Sequence, residues 1–398
     1  MTKQQRVFLL VFIALVALGA AVSYDLPSSS QPAVPAPIAA TPATQIAAAA
    51  EPSPPSLATL ATSSAVASSP ISAKRSDRKE KANIRPGTTA RAAASAGIAS
   101  SSSQVARLES PYSAPRASIS DLNTDARAAL VNILCMPRGG GSFSPISGSG
   151  VIIDPRGIVL TNAHVAQYVL LSQSPKVDLQ CAIRAGAPAH ALWSAEVLYI
   201  PPVWVQTHVG EINAQHPQGT GEHDYGLLYI TGSLSGGSLP APFPFLQPDT
   251  REGIAFQGDQ VLVASYPAEF LGGMAAENDL YPASSVTTIG RLLTFSSSSI
   301  DVLSLGGIIE AQSGSSGGAV VNAWDRLVGL IVTTSEGATT AARDLHALSL
   351  SYISRDLAAQ SGYDLPEWLQ TDPASTAKNF NAMVAPGLLK LYIAQLSY

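Results

Sequence analysis

The feature that most constrains this fold is a succession of short apolar segments, each separated from the next by turn-forming residues. Asp154-Pro155-Arg156-Gly157, for example, joins two such segments with residue types that favour tight turns. Because few of the segments have helical spacing, repeated short strands with turns between them predict an all-β barrel or sandwich. The predicted strands are 129–135, 148–153, 157–160, 177–183, 193–200, 227–230, 260–265, 285–293, 302–305, 319–321 and 328–333.

Two short helices are predicted at the borders of this region. Residues 120–127 indicate a capped helix before the first strand, and residues 352–357 a closing helix after the last. After the closing helix we expect no further peptide-binding domain, because the remaining stretch is too short to form one.

Composition divides the chain into segments. Only 13% of the 398 residues are charged, about half of what a soluble domain usually carries. Residues 25–117 are dominated by Ala, Ser, Pro and Thr, and such a segment cannot bury enough apolar surface to offset the entropy lost on ordering. The sequence therefore predicts an N-terminal targeting segment at 1–24, a disordered spacer at 25–117, a folded domain at 118–365 and a C-terminal tail at 366–398.

The spacer contains a cluster of basic residues. One interpretation is contact with anionic lipid, peptidoglycan or another acidic surface. The other is a solvated charge run that keeps the spacer soluble, which is the usual role of such runs. The cluster consists of Lys74, Arg75, Arg78, Lys79, Lys81, Arg85 and Arg91.

The N-terminus has the layout of an export signal. Lys3 and Arg6 precede an apolar run without charge that ends near Val22. The run is close to the lower length limit for spanning a bilayer, so signal cleavage and membrane anchoring are both open. The long spacer that follows favours anchoring, with Lys3 and Arg6 in the cytoplasm and the domain exported. The net charge of −5 gives no reason to expect a nucleic-acid partner.

Three sequence motifs carry the chemistry. Ser316 lies in a glycine-flanked stretch, Gln312-Ser313-Gly314-Ser315-Ser316-Gly317-Gly318. A serine hydroxyl is a weak nucleophile until a base takes its proton. His164, in Thr161-Asn162-Ala163-His164-Val165, is the candidate base, since the ordinary pKa of imidazole lies near working pH. Asp224, ahead of Leu227-Leu228-Tyr229-Ile230, is the candidate partner that orients the imidazole.

Together these motifs resemble those of the trypsin-like and HtrA-like serine proteases, over roughly residues 128–357. The order His164, Asp224, Ser316 is the order of that family's catalytic triad. Gly226 departs from the pattern, which usually has alanine there. The resemblance implies two six-stranded antiparallel β-barrels with a C-terminal helix. It also implies a serine endopeptidase acting on polypeptides without a cofactor; the oligomeric state is left open.

The resemblance also implies an oxyanion hole and a substrate pocket. The backbone N–H groups of Gly314 and Ser316 are expected to stabilise the oxyanion. The segment just before Ser316 is expected to form one wall of the pocket for the residue before the cleaved bond, and Val332, Thr333 and Thr334 the facing strand. Glu310 lies where trypsin-like enzymes place the base of that pocket, which would favour a basic substrate residue. The alternatives are that Glu310 faces solvent, as Glu usually does, or that the pocket takes a small aliphatic residue, as most HtrA-like pockets do.

Cys135 and Cys181 are an even pair in a chain that carries an export signal, so oxidation is expected to be possible. The resemblance implies that their strands are neighbours where the first barrel closes. Either a disulfide or two buried thiols that pack as small apolar residues is compatible with the sequence.

A metal site is not predicted. His208, His216 and His223, with Glu211 and Glu222, lie near one another in the chain, but their spacing matches no established zinc pattern.

Two rival interpretations use the same residues differently. Gly314-Ser315-Ser316-Gly317-Gly318 matches the G-x-S-x-G turn of the α/β-hydrolases, but that fold needs its acid and histidine after the serine. Only His346 follows Ser316, and the alternating helices are missing. The second rival is a catalytically silent protease-like protein that acts as a binding or scaffold protein of the cell envelope.

Overall fold

The computed structural model describes residues 99–100, 105–139, 144–212, 214, 219–271, 273–296 and 298–396. The predicted export segment, the basic cluster of the spacer and His216 lie outside the described residues. No helix in the described ranges is both long and apolar enough to cross a membrane.

The first half of the domain is a closed β-barrel. Helix α1 (Ile119–Ala129) leads into it and is capped by the Ser118 side chain. Six antiparallel strands follow in the spatial order β2-β3-β4-β7-β6-β5, and pairing of β5 with β2 closes the barrel. The strands are β2 (Leu130–Met136), β3 (Ile146–Asp154), β4 (Ile158–Thr161), β5 (Gln180–Ala185), β6 (His190–Tyr199) and β7 (Gly226–Ser233).

A disulfide lies at the closing seam of this barrel. Cys135 on β2 and Cys181 on β5 are direct antiparallel partners and are bonded to each other. Cys135 is buried among the apolar side chains of the barrel core. The bond therefore joins the first strand of the barrel covalently to the strand that closes it.

The second half is a mostly antiparallel sheet with the path β1-β11-β12-β15-β14-β13-β9-β10. Its strands β10 and β11 are separated by Ile289 and Gly290 alone, so one bent segment pairs with β9 at one end and with β12 at the other. The strands are β1 (Ala99–Ser100), β8 (Gln247–Pro248), β9 (Gln260–Ser265), β10 (Ala283–Thr288), β11 (Arg291–Thr294), β12 (Val302–Ser304), β13 (Ala319–Val321), β14 (Arg326–Thr334) and β15 (Leu345–Ser349).

This architecture confirms the predicted all-β, chymotrypsin-like fold class. The second half differs from the prediction in detail, because over the described residues it is an open nine-stranded sheet and not a closed six-stranded barrel. Separate clusters of buried side chains fill the first barrel and the second sheet. A further cluster joins residues of both halves, including Leu130 and Val151 from the first barrel and Leu262 and Val332 from the second sheet. The two sheets therefore share a packed apolar interface.

The packed part of the chain begins before the predicted boundary at residue 118. The N–H of Leu108 donates to the carbonyl of Gly253, and the ring of Tyr112 packs on that of Trp324 with centroids 5.4 Å apart. Residues 105–117 thus lie against the second sheet, because a few anchoring side chains are enough to hold a segment of otherwise spacer-like composition.

Helices cover the barrels at several points. The predicted closing helix is α5 (Leu350–Ser361), longer at both ends than expected and terminated by Gly362 in the left-handed conformation. The predicted tail contains α6 (Leu365–Trp368), α7 (Pro373–Met383) and α8 (Ala385–Leu396). Phe380, Leu388 and Tyr392 from this region pack into the core cluster of the first barrel. The earlier helices are α2 (Ala163–Ser172), α3 (Pro202–His208) and α4 (Gly273–Asn278).

Candidate active site

His164 and Asp224 are in direct contact at the edge of the first barrel. His164 is the second residue of α2, which follows β4 directly, and Asp224 lies two residues before β7, the strand that pairs with β4. The Nδ1–H of His164 donates to Asp224 Oδ2 over 2.6 Å. The backbone N–H of His164 donates to Asp224 Oδ1 over 2.9 Å. Both carboxylate oxygens are thus committed to the same histidine.

The pair stabilises the charged form of the imidazole. Burial disfavours the imidazolium, but attraction to Asp224 and the hydrogen bond outweigh it, so the pKa of His164 is raised above its ordinary value. Asp224 is buried, whereas His164 keeps part of its side chain exposed. Such a histidine can accept a proton from a neighbouring group and hold it as a stabilised cation.

The backbone around the pair is held by residues of the same motifs. The Nδ2–H of Asn162 donates to the carbonyl oxygen of Asp224 over 2.8 Å. Gly226, where the family pattern usually has alanine, lies against α2: an added Cβ would meet the Cβ of Ala166 at 3.0 Å. The close approach of β7 to α2 explains this departure from the motif.

The Ser316 loop grows from the second sheet and lies on the first barrel. The N–H of Ser149 on β3 donates to the carbonyl of Ser316 over 2.7 Å, and its Oγ–H donates to the carbonyl of Gly314, also over 2.7 Å. Gly317 is pressed so closely against β3 that an added Cβ would lie 2.0 Å from the Ser149 carbonyl oxygen and 2.6 Å from Thr161 Oγ1. Thr161 is three residues before His164, so the loop lies beside the segment that carries the histidine.

Of the three predicted catalytic residues, the structure joins two by hydrogen bonds. The Ser316 side chain is half-buried, and within the described part of the chain its hydroxyl is not hydrogen-bonded to His164. Catalytic hydrogen bonds in proteases without substrate are often long and tighten only when substrate binds. The arrangement thus places the serine loop next to the His–Asp pair without the final contact.

The loop also leaves two backbone donors unused. Gly314 has φ +92°, a conformation that favours glycine. An added Cβ there would lie 2.8 Å from the N of Ala268 and the O of Tyr266, so no other residue fits without movement. Across the described ranges, neither the N–H of Gly314 nor that of Ser316 donates to a protein acceptor. Both remain available to an incoming oxyanion.

Glu310 does not face solvent. Its side chain is fully buried, and the Ser285 hydroxyl donates to its Oε1 over 3.0 Å. Its Oε2 is buried with no hydrogen-bond partner among the residues described. Burial raises the pKa of this carboxyl, because a lone charge is costly away from water. The interpretation of Glu310 as a solvent-facing residue is therefore wrong.

The remaining predicted pocket residues lie at the end of β14. Val332 is buried, Thr333 is half-buried and Thr334 is exposed. Gly221, three residues before Asp224, packs against Val332: an added Cβ would meet its methyl groups at 3.1 Å. The end of β14 therefore adjoins the segment that carries the candidate acid.

Sequence reasoning missed a pair that holds the serine loop from the other side. Arg343 donates to both carboxylate oxygens of Glu269, and its Nη1–H also donates to the carbonyl of Ala311 over 2.8 Å. Glu269 in turn accepts the backbone N–H of Ser313 over 3.1 Å. Nothing in the sequence around either residue marks it, because the pair forms only when distant loops meet. Ser149 was missed for the same reason.

Two of the other histidines take structural partners. His208 stacks on Trp204 with ring centroids 4.7 Å apart, and His223 pairs with Asp356. Among the described residues no group of three or more His, Cys, Asp or Glu side chains is arranged to hold a metal ion.

Two β-sheets that share a core and present a His–Asp pair beside a glycine-rich serine loop have the architecture of the two-barrel peptidases. Residues 148–330 match the family model described as Trypsin-like peptidase domain. Among solved structures, the chain is similar to the one titled "Crystal structure of Deg5", with 13% identity and a TM-score of 0.39. That match covers 59% of this chain and 90% of the other. No curated protein matches the sequence.

Proposed function

We propose that this protein is a serine endopeptidase that hydrolyses peptide bonds through His164, Asp224 and Ser316. The observation that carries the proposal is the 2.6 Å contact of His164 with Asp224 beside a serine loop anchored on the same barrel. Neither part alone is specific, because buried His–Asp pairs and glycine-rich serine loops occur in many structural roles. Their position at the junction of two barrels favours catalysis.

In the proposed mechanism a movement of the Ser316 side chain brings its hydroxyl to Nε2 of His164. The imidazole takes the proton as Oγ attacks the substrate carbonyl, and the C–N bond then breaks as His164 returns the proton to the leaving amine. Asp224 holds the tautomer that presents Nε2 as the acceptor and stabilises the imidazolium. The N–H groups of Gly314 and Ser316 stabilise the oxyanion, each good donor contributing about 3 kcal/mol to barrier lowering. A water activated by His164 then hydrolyses the acyl-enzyme, and no cofactor takes part.

For the substrate pocket we propose that Glu310 favours a basic residue before the cleaved bond. Its Oε2 lacks a hydrogen-bond partner in the described structure, and a Lys or Arg side chain would supply one. Val332, Thr333 and Thr334 would form the adjoining wall. The raised pKa of Glu310 supports this role, since an incoming cation would offset the cost of its buried charge.

We further propose that the domain acts outside the cytoplasm on exported or envelope polypeptides, held to the membrane by residues 1–24. The charge pattern of Lys3, Arg6 and the apolar run that follows supports export. The disulfide between Cys135 and Cys181 agrees with an oxidising compartment.

Labelling with a serine-directed fluorophosphonate tests the proposal. The wild-type protein should be labelled and should cleave an unfolded protein substrate, whereas Ser316→Ala should lose both properties and keep its fold. Ser313→Ala is the matched control, because it removes a neighbouring hydroxyl of the same loop and should leave labelling intact. A folded wild-type protein that neither takes label nor cleaves would instead favour the silent binding or scaffold function.

A further inference from the structure

The carboxylate of Asp356 accepts hydrogen bonds from the residues on both sides of Asp224. The Nδ1–H of His223 donates to Asp356 Oδ1 over 2.9 Å, and the hydroxyl of Tyr225 donates to Oδ2 over 2.9 Å. A third donor, Nε2 of Gln360, reaches Oδ2 over 2.7 Å. One carboxylate, whose side chain is 10% exposed, is thus hydrogen-bonded to the residues immediately before and after the candidate acid.

These contacts come from one face of α5. Tyr352, Asp356 and Gln360 are spaced by four residues and therefore lie above one another on the helix. The hydroxyl of Tyr352 accepts the backbone N–H of His223 over 3.0 Å. An adjoining side of the helix is fixed, because Leu350, Ile353 and Leu357 are buried in the cluster that joins the two halves of the domain. The face that meets residues 223–225 is therefore rigid.

The segment around Asp224 needs such support. His223 has φ +60°, an unfavourable conformation for a non-glycine residue that persists only when surrounding contacts impose it. The N–H of Asp224 donates to the carbonyl of Gly221 over 3.1 Å, which closes a tight turn before β7. Because the direction of the Asp224 side chain follows from this backbone, contacts that hold His223 and Tyr225 also set its direction.

We propose that Asp356 is a positioning residue for the reaction: acting through His223 and Tyr225, it holds the turn that aims the Asp224 carboxylate at His164. This inference rests on the proposed function, in which Asp224 orients the catalytic base. Asp356 itself touches neither His164 nor the serine loop in the described contacts.

The charges around this group are few. Besides Asp356, the side chain of His223 faces Glu222, whose Oε1 lies 3.8 Å from Nε2. The hydrogen bond to Asp356 is the largest effect on His223 and raises its pKa above the ordinary value, although burial opposes this. Tyr225 and Tyr352, the neighbouring titratable groups, have raised pKa values through burial and stay neutral donors and acceptors.

Three variants separate positioning from mere structural support. Asp356→Asn removes the charge and one acceptor, and Tyr225→Phe removes one donor without changing the volume of a buried ring. His223→Asn keeps a residue type that tolerates positive φ while losing the imidazole. Asp125→Asn, which neutralises an exposed carboxylate on α1, is the matched control.

Two measurements are made on each folded variant. The first is steady-state cleavage of a peptide substrate, where we expect kcat to fall about tenfold to 100-fold with KM changed less than about twofold. The second is an NMR titration of the His164 imidazole, assigned by comparison with His164→Gln. The contact with Asp224 raises the pKa of His164. If a variant turns the Asp224 carboxylate away from His164, the pKa of His164 should therefore fall toward 6.5.

The outcomes separate the two proposals. If the wild type neither takes fluorophosphonate nor cleaves, the proposed function fails, and the His164 titration still decides whether Asp356 positions Asp224. If the wild type is active but Asp356→Asn and Tyr225→Phe keep the wild-type kcat and His164 pKa, the positioning role is overturned. A lower thermal unfolding midpoint with both of these unchanged would likewise show that Asp356 only stabilises the fold. Should Asp356→Asn not fold, the same two measurements on Tyr225→Phe decide between positioning and structural support.

Discussion

The hydroxyl of Ser149 donates a 2.7 Å hydrogen bond to the carbonyl oxygen of Gly314, while its backbone N–H donates to the carbonyl of Ser316. A residue of the first barrel therefore fixes the carbonyl groups on both sides of residue 315. The same hydroxyl accepts the N–H of Tyr266 over 2.9 Å, so it is satisfied as donor and as acceptor. These bonds hold the 314–315 and 316–317 peptide groups, which directly follow the peptide groups that carry the proposed oxyanion donors, the N–H groups of Gly314 and Ser316.

Replacement of Ser149 by alanine should lower kcat without a comparable change in KM. The substitution leaves the carbonyl of Gly314 and the N–H of Tyr266 buried without this partner, at a cost of about 1–3 kcal/mol each. We expect kcat to fall on the order of tenfold, because the backbone between the two proposed oxyanion donors is then held less firmly against the first barrel. Ser147→Ala, on the same strand, is the control, and a wild-type kcat for Ser149→Ala would contradict the anchoring role.

The pH dependence of cleavage should report the His164–Asp224 pair. His164 acts as a base only when neutral, so kcat/KM should fall as the pH drops through its raised pKa, above the ordinary 6.5. In Asp224→Asn only burial still acts on His164, and burial lowers its pKa, so the acid limb of the kcat/KM profile should move to lower pH. We expect kcat to fall on the order of 10⁴-fold in the same variant. An acid limb that stays at the wild-type pH in Asp224→Asn would show that another group controls the profile.

The pair formed by Glu269 and Arg343 should act as a unit on the serine loop. Glu269→Ala frees the N–H of Ser313, and Arg343→Ala frees the carbonyl of Ala311, so each variant should lower kcat about threefold to tenfold. Because the two side chains hold each other, the double variant should lose little more than the worse single variant. Fully additive losses in this cycle would mean that the residues act independently.

Glu310 should control both substrate choice and one part of the pH dependence of stability. Its pKa is raised in the fold, so the unfolded chain releases this proton at lower pH and binds fewer protons between the two pKa values. The free energy of unfolding should therefore decrease as the pH rises through this window. Glu310→Gln should remove that decrease in urea titrations and reduce the preference for peptides with Lys or Arg before the cleaved bond.

A Glu310→Gln protein with an unchanged preference for basic residues would place the pocket base elsewhere. Glu336→Gln, an exposed carboxylate beyond the end of β14, serves as the control for a general loss of negative charge.

Loss of the disulfide should destabilise the domain without abolishing the site. Cys135 and Cys181 are 46 residues apart, and the chain-entropy relation gives about 4 kcal/mol for closing a loop of that length. The double variant Cys135→Ser/Cys181→Ser should therefore unfold at a lower urea concentration, with the free energy of unfolding lower by about 2–4 kcal/mol. A wild-type midpoint in the double variant would show that the barrel seam is held by strand pairing alone.

Much of the β-structure could be predicted from local patterns. The turn at 154–157 lies between β3 and β4 as expected, and the apolar segments at 260–265 and 319–321 coincide with β9 and β13. The strand predicted at 177–183 lies later, at β5 (Gln180–Ala185). The alternation of apolar and polar residues and the preference of certain residues for turns depend only on neighbouring residues, so both can be recognised in the sequence.

Elements whose character depends on tertiary contacts were not predicted. Helix α2 (Ala163–Ser172) is mostly apolar and buried, and its half-buried residues form only the narrow stripe His164, Tyr168 and Ser172, so its pattern does not clearly distinguish a helix from a strand. Strand β15 (Leu345–Ser349) has an ambiguous alternation and was missed. Helices α7 and α8 carry weak amphipathic patterns, because only a few of their side chains enter the core of the first barrel.

The candidate site also contains residues that could be predicted from the sequence and residues that could not. His164, Asp224, Gly314 and Ser316 could be proposed because each lies in a recognisable motif. Ser149, Arg343 and Asp356 could not, since each acts through contacts made by parts of the chain that are far apart in sequence. Residues that support a site have no fixed spacing from it.

The way α5 meets the first barrel has a consequence for biosynthesis. The ribosome releases a chain from its amino end, so the strand that follows Asp224 emerges long before Asp356 does. On the functions proposed here, a chain synthesised only as far as the first barrel would lack both Ser316, the nucleophile, and Asp356, which positions Asp224. Proteolytic activity would then arise only after the C-terminal helices have formed, and the nascent chain would not cleave itself or its neighbours.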